Sequence, residues 1–363
     1  MEQIKKKILV VDDSALMRRV LSDLINSDKR FQVVAKAANG MEAFDLLSRE
    51  SYDGVVLDLN MPKMSGLELL AELRKFRIAA RIMIASTDST EGAKVTLDAL
   101  ELGALDFIQK PGSSLDCRGE DFAESFLGIL HAVTCGKLPT YDKPPVPYVA
   151  PVKRVPIKST PQRATGTRRI KKLVAIASST GGPKALQSIL TVLPKDLDAP
   201  VVLVQHMPKG FTTSFAERLN EACELNVREA ADGEELEKGT VYVAMGGRHL
   251  NVDQSINGNC VIRYSDEPLR EGVRPSANYM FESLAKTERL DLTCVVLTGM
   301  GSDGTDGIRK LKEKKEVYVI TQDCESCVVY GMPKSIVNAG LSDKTLPLDA
   351  IAMAIEDRVG RLT

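Results

Sequence analysis

The 363-residue sequence lacks the features that would place it in a membrane, outside the cell or on nucleic acid. No apolar run approaches the ~18 residues that a membrane-spanning helix needs. The opening Met1-Glu-Gln-Ile-Lys-Lys-Lys7 leads straight into a short strand pattern with no apolar leader core, so a cytoplasmic location is expected. Cysteines number seven, odd and scattered over both halves, which argues against a disulfide framework and for a reducing compartment. Cys324 and Cys327 form a lone CxxC without the second ligand pair of a structural zinc site, and it reads as incidental rather than as a redox centre. Basic charge is scarce where a nucleic-acid reader needs it: residues 1–131 and 170–363 each carry a net charge of −4. Histidine is scarcest of all. His131, His206 and His249 are the only three, so acid–base chemistry has few places to reside.

What is present is ordinary in bulk, with 44% apolar and 27% charged residues, and long enough for two domains. Between the two acidic parts lies a different segment, 136–169. Seven of the 17 prolines fall between Pro139 and Pro161, and residues 132–169 carry a net charge of +7. Repeated X-Pro steps exclude helix and remove ladder donors, so this stretch reads as an extended, basic linker. The division expected is 1–135, linker 136–169, and 170–363.

Residues 7–131 alternate strand and helix signals. Apolar strands are expected at 8–11, 33–37, 54–57, 82–85 and 105–108, each followed by a helical pattern (15–25, 41–48, 67–76, 91–102 and 121–133). Five βα units in about 125 residues imply a doubly wound parallel sheet. Asp12 and Asp13 end the first strand, Asp58 the third, Ser86 or Thr87 the fourth, and Lys110 the fifth. All therefore face one edge of the sheet. Three carboxylates gathered there repel one another unless a cation joins them, and hard oxygen ligands suit Mg²⁺.

Asp12-Asp13, Asp58 within Leu57-Asp-Leu-Asn-Met-Pro-Lys-Met-Ser-Gly66, Ser86, and Lys110-Pro111 resemble the receiver domain of bacterial response regulators, of flavodoxin-like fold. The resemblance implies that Asp58 accepts a phosphoryl group from a histidine kinase. It implies Mg²⁺ on Asp12, Asp13, Asp58 and the Asn60 carbonyl, with Lys110 pairing with the phosphoryl group. Ser86 or its neighbour Thr87 would supply the switch hydroxyl, and Phe107 the switch aromatic.

The second part is again α/β. Strands are expected at 173–177, 201–205, 241–244, 261–264, 293–298 and 317–321, and helices at 184–193, 211–223, 277–287, 304–312 and 348–361. Asn257-Gly258 between 251–256 and 260–263 predicts a hairpin, an antiparallel excursion in a mostly parallel, Rossmann-like sheet. The apolar run 173–177 breaks at Ser178-Ser179-Thr180-Gly181-Gly182, and a helix pattern follows Pro183. Such a turn sits at the carboxyl edge of the sheet, where ligands bind, and the helix start offers free N–H groups to an oxyanion. The Thr180 N–H is the candidate donor. A hydroxyl here, Ser178 or Ser179, can be a nucleophile or merely a helix cap.

His206 follows the strand at 201–205, and Asp303 lies in Gly299-Met-Gly-Ser-Asp-Gly304 after the strand at 293–298. Serine, histidine and aspartate thus occupy three strand-end turns of one sheet, the division of labour that acyl transfer needs. A loop histidine and a helix-capping aspartate are the structural alternatives. His249, in the hairpin region, is the second candidate base, and His131 is expected at the surface.

Ala177-Ser-Ser-Thr-Gly-Gly182, Gln205-His-Met-Pro208 and Thr298-Gly-Met-Gly-Ser-Asp-Gly304 are similar to the catalytic domain of the chemotaxis protein-glutamate methylesterases. With the receiver part, the resemblance spans the chain. It implies Ser179 as nucleophile, His206 as base, Asp303 as orienting acid and Met300 beside the oxyanion hole. It implies hydrolysis of glutamyl methyl esters on chemoreceptors and deamidation of receptor glutamines, with no cofactor for the esterase step. Two other outputs are weighed on the residues alone. A DNA-binding output predicts a basic reading helix, which the −4 balance of 170–363 speaks against. A non-catalytic adaptor whose C-terminal fold only docks onto receptors stays open, to be separated by acyl-phosphonate labelling lost on Ser179→Ala.

Overall fold

The computed structural model describes residues 4–86, 90–111, 116–139, 170–255 and 257–362. Thr87 and the connector from 140 to 169 lie outside the described residues.

The first unit runs β1 (Lys6–Val11), α1 (Ala15–Ser27), β2 (Phe31–Ala37), α2 (Gly40–Arg49), β3 (Gly54–Leu57) and α3 (Gly66–Lys75). It continues with β4 (Ile82–Ser86), α4 (Thr90–Leu102), β5 (Asp106–Gln109), a 3₁₀ turn at Asp116–Arg118, and α5 (Glu120–Cys135). The strands pair in parallel in the order β2-β1-β3-β4-β5, the flavodoxin-like order. Helices cover both faces, which is why β3 and β4 read as unbroken apolar runs and are buried throughout. Local chemistry sets the helix starts. Ser14 and Asn39 each accept from a first-turn N–H, and Ser65 with Glu68 forms a capping box.

The second unit begins with β6 (Lys172–Ser178), α6 (Gly182–Leu190), β7 (Val201–Gln205), α7 (Phe211–Ala222), β8 (Asn226–Glu229) and β9 (Thr240–Val243). A hairpin follows, β10 (His249–Gln254) and β11 (Cys260–Ser265), then α8 (Ala277–Leu284), β12 (Asp291–Val296) and α9 (Thr305–Lys314). The chain ends with β13 (Tyr318–Gln322), α10 (Met332–Asn338), β14 (Lys344–Leu346) and α11 (Leu348–Val359). Seven strands form one parallel sheet, β14-β13-β12-β6-β7-β9-β8, and the hairpin stands apart as an antiparallel pair. The chain grows outward from β6 toward β7 on one side and later returns to β12 on the other. The crevice between the carboxyl ends of β6 and β12 is therefore the topological switch point.

Several elements differ from the sequence expectation. The short β8 and β14 carry exposed or half-buried polar residues, so they give no apolar signal. Helix α10 spans seven residues and opens on Met332-Pro333. The hairpin starts at His249, with His249 opposite Ser265, rather than at 251. Helix α6 starts two residues early because Gly181, at φ +77°, takes the left-handed turn that admits it.

One hydrophobic cluster crosses between the units. Leu97, Leu100 and Phe107 of the first pack with Ala185, Phe211 and Phe215 of the second. The Phe107 and Phe211 rings lie 4.6 Å apart. Arg218 reaches Asp98 at 2.7 Å and Glu101 at 2.7 Å across the same seam. Beyond α5, Lys137 bonds the Cys324 carbonyl at 2.9 Å, and its N–H bonds the Val328 carbonyl at 3.0 Å. Among the described residues no helix is long and apolar enough to cross a membrane.

Phe281 is fully buried where α8 crosses α9, against the backbone of Gly304 and Gly307. Phe281→Ala is expected to destabilise the second unit by about 3–5 kcal/mol. Denaturant unfolding followed by circular dichroism checks this, with a lowered midpoint and an unchanged slope.

Candidate active site and phosphoacceptor pocket

The three strand-end turns meet at the switch point. Ser179 directly follows β6, His206 follows β7, and Asp303 lies in the loop after β12. His206 Nε2 is 2.8 Å from Asp303 Oδ2. A carboxylate only accepts, so Nε2 carries the proton and Nδ1 is left as the basic nitrogen.

Asp303 is 2% exposed. Its Oδ1 accepts from Ser276 Oγ at 2.7 Å and the Asn278 N–H at 3.0 Å. Its Oδ2 accepts from the Ala277 N–H at 2.6 Å as well as from His206. Burial raises its pKa, but the His206 bond and charge and the α8 donors outweigh it and hold the carboxyl below its ordinary value. Asp303 does cap a helix, though not the one that follows it. It caps α8 from another loop, where the unpaired N–H groups and the helix dipole favour an anion. Ser276 holds the N-cap position of α8, but its hydroxyl turns to Asp303 instead of to its own helix.

Gln205 organises the other side. Its Nε2 donates to the carbonyls of Ser179 and His206, each at 3.1 Å, while its Oε1 accepts from Ser178 Oγ at 2.7 Å. The Ser178 hydroxyl is thus fully buried and engaged, whereas Ser179 is half-buried and its hydroxyl has no partner among the described residues. Gly299 lets the β12 loop approach: a Cβ there would stand 2.8 Å from Ser179 Cβ and 2.4 Å from Met332 Sδ. The Thr180 and Met300 N–H groups make no hydrogen bond among the described residues, and the Met300 side chain is exposed at the rim.

His249 does not reach Ser179. It is fully buried, with Nε2 3.1 Å from the Pro268 carbonyl and Nδ1 accepting the Ser276 N–H at 3.1 Å. His131 is half-buried rather than at the surface, edge-on to Phe31.

The first unit touches this turn directly. The Thr180 hydroxyl donates to Asp106 Oδ2 of β5, and the Gly181 N–H bonds the Leu105 carbonyl at 3.3 Å. Phe107, on the same strand, stacks on Phe211 at the start of α7, five residues past His206. Burial pushes the Asp106 carboxyl up to about 6, against the Thr180 and Phe107 hydrogen bonds and the nearby His206. Sequence reading missed Gln205, Ser276 and Asp106. The Pro275-Ser276 helix start and the polar Gln205 closing an apolar strand were the available signals.

On the carboxyl edge of the first sheet, Lys110 Nζ lies 2.7 Å from Asp12 Oδ2 and 2.6 Å from Asp58 Oδ1, all three buried. Burial raises the Asp58 pKa; Lys110 opposes that shift, and Asp12 and Asp13 add to it. Burial works against the Lys110 charge, but Asp58 and Asp12 outweigh it and raise its pKa. Asp13 is exposed at the rim, as is Asn60, whose carbonyl has no donor among the described residues. This donor set of hard oxygens fits a divalent cation in its chemistry. As the side chains stand, Lys110 rather than a third carboxylate completes the cluster, and no metal-ready group of three is gathered among the described residues. Ser86 is buried and accepts from Thr96 Oγ1 at 2.9 Å.

Residues 8–117 match the response regulator receiver domain family, and residues 174–355 match the CheB methylesterase family. The protein-glutamate methylesterase/protein-glutamine glutaminase of Geobacillus kaustophilus is 42% identical, over 98% of this chain and 99% of its own length. The protein of the same description from Bacillus subtilis is 39% identical, over 96% of this chain and 97% of its own. Among solved structures, the Thermotoga maritima CheB methylesterase catalytic domain is 43% identical, covering 51% of this chain and 97% of that one, with a TM-score of 0.50. With such relatives along nearly its whole length, this chain belongs to the protein-glutamate methylesterase/protein-glutamine glutaminase family.

Proposed function

We propose that the chain is a phosphorylation-regulated hydrolase of glutamyl methyl esters on the cytoplasmic part of chemoreceptors, acting through Ser179, His206 and Asp303, and that it also deamidates receptor glutamines. It divides into a receiver at 1–135, a linker at 136–169 and a catalytic part at 170–363, and it works in the cytoplasm. The observation that carries the reading is the His206–Asp303 pair beside an unengaged Ser179 hydroxyl.

The chemistry follows from the tautomer. Nδ1 of His206 takes the proton as Ser179 Oγ attacks the ester carbonyl, and Asp303 stabilises the imidazolium. The oxyanion is met by the Thr180 and Met300 N–H groups. Collapse breaks the C–O bond, and His206 returns the proton to the departing methoxide, which leaves as methanol. Water activated by the same imidazole then cleaves the acyl-enzyme. With a glutamine substrate the leaving group is ammonia. The esterase step needs no cofactor.

In the receiver, a histidine kinase supplies the phosphoryl group to Asp58. Mg²⁺ would be held by Asp12, Asp13, Asp58 and the Asn60 carbonyl, and when bound it neutralises charge on the transferring phosphoryl group. Lys110 would pair with a phosphoryl oxygen, Ser86 or Thr87 would turn toward another, and Phe107 would repack. Since Asp106, Leu105 and Phe107 hold the Ser179–Gly181 turn and α7, the unphosphorylated receiver restrains the esterase. Phosphorylation shifts the closed population only by its differential stabilisation of the open form.

Ser179→Ala is expected to lower methanol release from methylated receptor membranes by several orders of magnitude, with Ser178→Ala largely active. The reverse result would move the nucleophile to Ser178. Asp58→Ala should keep basal methanol release but lose the rise produced by acetyl phosphate with Mg²⁺; a retained rise would place the phosphoacceptor elsewhere.

The seam also predicts a pH effect. The Asp106 carboxyl sits at about 6 in the closed form, above its ordinary value of 3.8. A raised pKa means that closure binds a proton. Closure is therefore strengthened as pH falls through about 6, and that gain is lost as pH rises through it. Asp106→Asn is neutral at every pH. The wild type should thus show higher basal activity than Asp106→Asn at pH 7, by up to about a hundredfold if the closed form dominates. The ratio should narrow as pH falls below about 6 and approach one only below about pH 4. Parallel basal assays across that range decide it, and a ratio flat with pH counts against the seam as a restraint.

A further inference from the structure

We propose that His249 is a positioning residue for the hydrolysis, acting through the start of α8 on Asp303; this rests on the reading of Asp303 and His206 given above. The ring is fully buried at the head of β10 and stacks on Tyr279 of α8, with centroids 4.3 Å apart. Its two nitrogens face opposite chemistry. Nε2 meets the Pro268 carbonyl at 3.1 Å, so it donates, and Nδ1 meets the Ser276 N–H at 3.1 Å, so it accepts. Only the neutral Nε2–H tautomer satisfies both partners. A proton on Nδ1 would set two donors against each other.

The surroundings support the neutral form. Charged and titratable groups facing the ring are Arg274, Glu267 and Asp266 on the segment after β11, and Tyr279 on α8. Burial lowers the pKa of the ring, with Arg274 acting in the same direction and the Pro268 bond and Glu267 against it.

Ser276 is where this ring acts on the site. Three of the four donors to Asp303 come from Ser276, Ala277 and Asn278, and the first of these residues is tied by its own N–H to His249. Asp303 can hold the His206 ring only while that segment stays in register. Removing the acceptor leaves the buried Ser276 N–H unsatisfied, and the segment relaxes to find another partner. The Asp303 carboxylate then turns with it, and His206 loses its tautomer and orientation. The Ser179 turn and the exposed rim are untouched, so substrate binding is preserved while the rate falls.

The test uses the full chain with two substitutions. His249→Phe keeps the flat ring but offers no acceptor; His249→Asn places Oδ1 close to where Nδ1 was and cannot titrate. Methanol release from methylated receptor membranes gives kcat and KM. The hydrogen-bonded His206 ring proton is followed by nuclear magnetic resonance of histidine-labelled protein, which holds only three imidazoles. His249→Phe should lower kcat about tenfold or more with KM nearly unchanged, and weaken the low-field His206 proton signal. His249→Asn should restore both to within about threefold of the wild type. A His249→Phe variant with wild-type kcat, or a His249→Asn variant as impaired as His249→Phe, overturns the proposal. Should His249→Phe not fold, the wild-type spectrum decides. A His249 ring found protonated on Nδ1 while kcat is intact overturns the proposal, and the neutral Nε2–H form throughout the active pH range supports it. Ser179→Ala is run alongside: if it stays active, the triad reading has failed, an outcome separate from either His249 result.

Discussion

A carboxylate buried to 2% exposure must find donors for both oxygens, and Asp303 finds four. Most of the second unit can be read as the apparatus that supplies them. The start of α8 gives two backbone N–H groups and the Ser276 hydroxyl, and His206 gives the last. Without the helix N-terminus the charge would be costly enough to neutralise itself, and a neutral acid could not hold His206 in the tautomer with a basic Nδ1. The parallel sheet sets the remaining distance. Because β6 lies between β7 and β12, the serine turn is flanked by the histidine on one side and the aspartate on the other.

The same turn is gripped from outside the second unit. Thr180 and Gly181, the two residues after Ser179, are bonded to Asp106 of β5 and to Leu105 just before it, while Phe107 of that strand presses on α7. At the carboxyl end of β5 lies the carboxylate–lysine pocket, since Lys110 follows the strand directly. One four-residue strand therefore has the carboxylate–lysine pocket at its end and the serine turn along its flank. Small shifts of a packed strand are resisted by its neighbours and move as a unit, which makes a strand a good carrier of a change in state.

Strand-end placement was legible in the chain because apolar runs end abruptly at polar residues: Ser178-Ser179 after β6, His206 after β7, and the Gly299–Gly304 loop after β12. Parallel order and helix cover followed from the alternation of periods. What stayed hidden were contacts whose partners are distant in the chain and carry no pattern of their own. Nothing in Asp303 announces that it will cap a helix beginning 26 residues earlier, nor does Asp106 look like anything but a strand residue. The register of the Ser-Thr-Gly-Gly turn already favoured Ser179 over Ser178, but the Gln205 contact that engages the Ser178 hydroxyl was not legible in the chain. Strands β8 and β14 escaped notice because edge strands of three or four residues with half-exposed side chains have no apolar signature.

Chain order adds a consequence for biosynthesis. A ribosome delivers the N-terminal unit first, and domains fold as they emerge. By the time β12 and the Asp303 loop leave the exit tunnel, β5 with Asp106 and Phe107 has long been available. The proposed centre cannot assemble earlier, since His206 and Asp303, which pair in it, lie 97 residues apart in sequence. The seam partner is thus waiting when the last piece of the proposed centre arrives, and on the proposed reading a newly made molecule has no interval as an unrestrained esterase. In a chain of the opposite order the proposed centre would be complete while its seam partner was still being translated.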